Sequence, residues 1–212
     1  MKSLFLYIIC MLIFIRCSSV TAYWYSEPED KFFYRDEKSE RISARAVTEK
    51  TVFEVWSASS EHPVLSGPML IPFYSVEPPV LNSEQLKLVF EFSSLKEKTN
   101  FNGKIMKESL KLRLNDSEDV YPDLAVLYEK NKDGIYEIRK SYSGTPEYIP
   151  FNGDAYVEMT FFSAVYSELK QYSFQPALRL KSSDAECPLL KFRPERKRTY
   201  IPFRFPFSLP MK

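Results

Sequence analysis

The chain has 212 residues and a formal net charge of +1, with 44% hydrophobic and 16% aromatic residues. That apolar content supports a packed core and excludes wholesale disorder, and the near-zero charge gives no electrostatic case for nucleic acid. Five glycines and a single histidine argue against glycine-rich cofactor loops and histidine-built metal sites, so neither a cofactor nor a metal centre is expected.

The first 22 residues contain no acidic side chain. Lys2 supplies a positive start, Leu4 to Ile15 form an apolar run, and Val20 and Ala22 fit positions −3 and −1 of a cleavage site after Ala22. A membrane-spanning helix needs about 20 apolar residues, more than this run offers. Residues 1–22 therefore read as a signal peptide. The protein reads as exported, secreted or periplasmic, with no transmembrane span in the mature chain. A second reading is a lipoprotein. Cys17-Ser18-Ser19 follows the apolar run, and acylation of Cys17 would anchor the chain by apolar burial. Arg16, however, stands where a lipidation site carries a small residue. Cleavage after Ala22 removes Cys10 and Cys17 and leaves Cys187, so apolar packing rather than a disulfide must hold the core. Cys187 is expected as a buried thiol, because free cysteine packs as a small hydrophobe.

Residues 23–50 are dense in charge, interrupted by Phe32, Phe33 and Tyr34, and read as a solvated leader ahead of one domain over 51–212. The single histidine, His62, stands beside Pro63 in a polar stretch and reads as a solvated loop residue. Thr51 to Ala58 is β-branched and aromatic, and Met69 to Tyr74 is a short run broken by Pro72. In Gln85 to Phe92, Leu86, Leu88, Phe90 and Phe92 alternate with Lys87 and Glu91, the period of a half-buried strand. Lys107 to Leu114 repeats it, with Leu110, Leu112 and Leu114 inward. Leu124 to Glu129 and Ile135 to Lys140 flank Asn131-Lys132-Asp133-Gly134, a hairpin signal. Ala155 to Phe162 alternates again, and Tyr172 to Lys181 and Leu189 to Arg193 are further strands. Ser163 to Tyr172 suits a short helix or a strand equally. Little helix is expected outside the signal peptide. Many short strands with turn signals between them predict a mainly β chain, an antiparallel β-sandwich of immunoglobulin-like or related kind.

Ile-Pro-Phe occurs at 71–73, 149–151 and 201–203. The unequal spacing excludes a solenoid repeat, and strand ends account for the motif, since proline in sheets is confined to edges and ends. Asn115-Asp116-Ser117-Glu118-Asp119 offers hard oxygen ligands but lacks the spacing of an EF-hand, and reads as an acidic turn. Asn115 also heads a glycosylation sequon, meaningful only in a eukaryotic secretory pathway. No glycine-flanked nucleophilic serine, dinucleotide fingerprint or P-loop occurs.

Charge is unevenly placed. Residues 23–185 carry 20 basic and 26 acidic side chains, and residues 186–212 carry seven basic and two acidic ones. Arg193, Arg196, Lys197 and Arg198 stand among aromatic residues and are the candidate binding residues. Their expected partner is an anionic surface, of lipid head groups or acidic polysaccharide, or a protein. The sequence thus reads as an exported non-enzymatic β-sandwich protein that binds or associates with an envelope or surface. Two rivals are a secreted hydrolase using paired carboxylates and a structural subunit assembling through edge strands.

Overall fold

The computed structural model describes residues 18–37, 41–57, 61–65, 85–95, 101–181 and 184–202. The chain is mainly β. Its strands are β1 (Ser18–Pro28), β2 (Phe33–Arg35), β3 (Ile42–Val47), β4 (Thr51–Ser57), β5 (Glu61–Leu65), β6 (Gln85–Ser94), β7 (Asn102–Met106), β8 (Leu112–Leu114), β9 (Glu118–Val120), β10 (Leu124–Lys130), β11 (Tyr136–Ser143), β12 (Tyr148–Asn152), β13 (Ala155–Val165), β14 (Tyr172–Phe174), β15 (Ala177–Leu180), β16 (Asp184–Glu186) and β17 (Leu190–Pro202). Among the described residues the only helical pieces are 3₁₀ turns at Asp30–Phe32, Lys107–Leu110 and Tyr166–Glu168. The strands form three antiparallel sheets.

Contacts divide the chain into two units. The first comprises 1–23, 60–83 and 196–212, and in it β5 pairs with residues 19–23 of β1. The second comprises 24–59 and 84–195. It holds a seven-stranded sheet in the order β11-β10-β13-β6-β4-β3-β2, a four-stranded sheet in the order β12-β7-β15-β16, and the ladder β17-β14-β8-β9.

Period-two patterning builds the second unit's core. Leu86, Leu88, Phe90 and Phe92 on β6 are fully buried, as are Phe53 and Val55 on β4 and Val157, Met159 and Phe161 on β13. Phe90 lies 5.9 Å from Phe53 within its own sheet and meets Phe174 of β14 edge-on at 5.7 Å. Phe92 meets Phe151 of β12 at 4.6 Å. Edge-on and tilted arrangements at these separations are favourable for aromatic rings. Two consecutive inward residues of β6 therefore reach all three sheets.

Several sequence expectations are met in detail. The hairpin β10–β11 turns on Asn131–Gly134, with Gly134 at φ +80°, a conformation side chains resist. Asn131 Oδ1 accepts the N–H groups of Asp133 and Ile135 and fixes that turn. Ile149 and Phe151 of the second Ile-Pro-Phe are buried in the edge strand β12, with Pro150 exposed between them. Residues 71–73 and the Met69–Tyr74 run lie outside the described residues.

Other expectations give way. Residues 23–50, read as a leader, supply most of β1 and all of β2 and β3. Arg45 points outward while Ala44 and Ala46 enter the core, so alternation decides where local charge density had suggested solvent. Lys107–Leu114 is a 3₁₀ turn followed by β8 rather than one strand, yet Leu110, Leu112 and Leu114 are all buried. Tyr172–Lys181 is two strands in different sheets, broken at Pro176, which has no N–H for a ladder.

Leu88→Ala should lower the unfolding free energy by about 2–5 kcal/mol, since a fully buried leucine leaves a cavity. Urea titration checks it; a loss below about 0.5 kcal/mol, the level of surface substitutions, contradicts the packing described.

Candidate functional site

The four candidate cations all lie on β17. Arg193 belongs to the second unit and is exposed, while Arg196, also exposed, belongs to the first with Lys197 and Arg198. The side chains of Lys197 and Arg198 lie outside the described residues. Arg193 lines an open groove of about 380 Å³ together with Lys191, Gln171, Glu27, Glu29 and Asp30. At Arg193, then, three carboxylates share the same groove. Cys17 and the apolar run before it lie outside the described residues. His62 stands in β5 opposite Ala22, not in a loop.

The acidic segment is a turn over Asn115–Ser117, as its composition implied, and its last two residues, Glu118 and Asp119, open β9. Asn115 and Asp116 adopt positive φ between β8 and β9. Asn115 Oδ1 accepts the Lys170 N–H at 2.9 Å. Hydrogen bonds from Arg113 and then Lys111 hold Asp119 well below the usual carboxylate range. Among the described residues no cluster of histidine, cysteine and acidic side chains is placed to hold a metal ion. Cys187 is buried, and burial pushes its thiol up to about 12. The native chain therefore holds that proton more tightly than the unfolded chain. This contribution to stability is present below the ordinary thiol value of 9.0 and is lost as pH rises toward about 12.

The most organised polar surface is one that sequence reading did not single out. It is the outer face of the seven-stranded sheet, where residues between the core-facing positions carry charge and aromatic rings. Glu54 of β4 stands directly opposite Glu91 of β6. Like charges in that relation repel, and Arg41, just before β3, relieves it. Its Nη2 donates to Glu54 Oε1 at 2.7 Å and lies 3.9 Å from Glu91 Oε2. The same guanidinium lies 3.7 Å over the Trp56 ring, a cation–π contact. Ser43 Oγ donates to Glu54 at 2.9 Å.

From the far edge, Tyr136 of β11 reaches over β10 and β13 and donates its hydroxyl to Glu91 Oε1 at 2.8 Å. It crosses Tyr156 edge-on at 4.9 Å, and Tyr156 stacks on Tyr128 at 4.4 Å. Burial, and then the Glu91 charge and hydrogen bond, raise Tyr136 well above its ordinary value. Burial also raises Tyr128 and Tyr156. Strand register was the missing information: Glu54 and Glu91 are 37 residues apart and look like ordinary outward positions until β4 and β6 pair.

The two carboxylates are thus committed to Arg41, Ser43 and Tyr136. A hydrolytic pair instead holds one carboxyl against a leaving group and the other against water or the sugar. Comparisons with family models, with curated proteins and with solved structures found no match to this chain.

Arg41→Gln should cost about 1–3 kcal/mol, because it leaves two partly buried acceptors facing each other. Adding Glu91→Gln should return part of that loss. A double-mutant cycle read by urea unfolding decides the matter; simple additivity of the two losses contradicts the shared-arginine arrangement.

Proposed function

We propose that the protein is an exported, non-enzymatic binding protein of β-sandwich type, immunoglobulin-like or related, that associates with an anionic envelope or surface. The signal-like sequence of residues 1–22 supports export. The contact of Phe90 with Phe174, across two sheets, supports the sandwich. The surplus of basic over acidic residues in 186–212 supports the anionic partner, with Arg193, Arg196, Lys197 and Arg198 as its contacts.

The observation that carries binding, over assembly through edge strands, is the state of the second unit's sheet edges. An exposed edge invites pairing with another chain, and proteins blunt it with short strands, bulges, lysine and proline. Here β2, β9 and β16 are three residues each. β11 is bulged where its register against β10 shifts, and carries Arg139 and Lys140 at that point. β12 carries Pro150. Every one of these edges is guarded. Binding through side chains is therefore the better use of this surface than strand addition.

The test is sedimentation of the purified chain with phosphatidylglycerol vesicles and with an insoluble acidic polysaccharide, at low and high salt. Retention on at least one is expected, weakening with salt as the Debye length falls from about 10 Å at 0.1 M to about 3 Å at 1 M. Replacing Arg193, Arg196, Lys197 and Arg198 by glutamine should reduce it. Unchanged retention with a lowered melting temperature would make the four residues structural. Sequencing of the protein from its native host should begin at Tyr23; an acylated Cys17 would replace secretion by lipid anchoring.

A further inference from the structure

We infer that the outer face of the four-stranded sheet is a second, separate anion site, fitted to the sulfate or carboxylate groups of an acidic polysaccharide. The site is built around Lys104 of β7 and Arg179 of β15, which stand directly opposite each other in the ladder. Directly opposite residues point to the same face with their Cβ atoms about 4.5–5.5 Å apart, and like charges so placed are destabilising. Here both side chains are exposed.

Their own carboxylates do little to relieve this. Lys104 makes no ion pair among the described residues; its ammonium lies 4.3 Å over the Tyr148 ring instead. Arg179 is flanked on its other side by Asp184, directly opposite it in the β15–β16 ladder and its one ion-pair partner among the described residues, at 3.9 Å with both side chains about 60% exposed. Exposed pairs of that kind contribute roughly 0–1 kcal/mol. At Glu54 and Glu91 the fold supplied a counter-charge for its opposed pair. At Lys104 and Arg179 the counter-charge is one exposed carboxylate, Asp184, on the far side of Arg179, and an oxyanion lying between the two cations would bridge them with charge-assisted hydrogen bonds.

The opposition is enforced by the backbone. Gly103 packs so closely on β15 that an added Cβ would stand 2.4 Å from the Arg179 carbonyl oxygen. Only glycine permits that approach, and it seats the neighbouring Lys104 against Arg179. Lys104 also lies opposite Pro150 on the other side, which leaves the row flat and small at its edge.

A polysaccharide suits this face better than a membrane. Surface helices and patches that dock on bilayers insert apolar side chains beside their cations. On this face the one large exposed hydrophobic side chain is Tyr148, whose ring is already covered by Lys104.

The test uses the full chain, with heparin as the soluble sulfated polysaccharide and phosphatidylglycerol vesicles as the lipid arm. All measurements are made both with the native tail and with Arg193, Arg196, Lys197 and Arg198 replaced by glutamine. Lys104→Gln with Arg179→Gln should weaken heparin binding about tenfold in both backgrounds and leave vesicle binding unchanged. Lys104→Glu should also abolish the heparin contribution while raising the melting temperature, because it turns an opposed like-charge pair into an attractive one. That rise keeps the result readable if the double variant folds poorly. Unchanged heparin affinity in the face variants overturns the inference, and if only the tail variant loses affinity, the tail reading stands alone. An equal loss on vesicles overturns the assignment to a polysaccharide.

Discussion

The second unit depends on two adjacent inward positions of one strand. Phe90 and Phe92 sit on β6, with β13 on one side of it and β4 on the other. Their rings touch each other at 5.1 Å and extend to Phe174 and Phe151 in the other two sheets. A sheet has one face to bury, and three sheets need a common layer in which to bury it. The phenylalanine layer is that layer, and its large planar side chains cover much area at small cost in side-chain entropy. With Cys187 as the free thiol of the described residues, apolar packing is the cohesive force there.

Once the inner face is committed to the core, the outer positions are free to carry charge, and their neighbours are then dictated by register. The same rule has opposite outcomes on two sheets. On the seven-stranded sheet, Glu54 and Glu91 come together with Arg41, Ser43 and Tyr136 around them, and both carboxylates accept hydrogen bonds. On the four-stranded sheet, Lys104 and Arg179 come together with the Tyr148 ring under the one and the exposed Asp184 beside the other. A satisfied network rigidifies the sheet that contains it. An unsatisfied pair costs stability, and such costs commonly persist where a ligand removes them.

The guarded edges fit this division. Where pairing is blunted at β2, β9, β11, β12 and β16, the surfaces left to the proposed binding are the side chains on sheet faces. The cations of β17 and of the four-stranded sheet are the two surfaces proposed for it, separate in sequence and supported by different strands. Arg193, in a groove with Glu27, Glu29 and Asp30, already has carboxylates for neighbours. Lys104 does not.

The β class, the hairpin at Asn131–Gly134 and the burial of Leu86, Leu88, Phe90 and Phe92 were legible in the sequence. Each rests on a local rule: period-two alternation, or a glycine placed for positive φ. The turn at the head of the acidic segment, Asn115–Ser117, was legible from its Asn-Asp-Ser composition. Local rules failed at residues 23–50, where counting charges hid the alternation of Ala44 and Ala46 around Arg45. They failed again at Tyr172–Lys181, where Pro176 sends one apolar run into two sheets. The opposed pairs Glu54–Glu91 and Lys104–Arg179 could not be read at all. Their members are 37 and 75 residues apart, and only strand register brings them face to face. Which residues turn inward is a property of a strand by itself, whereas which charges meet on the outer face is decided by the strands that pair with it.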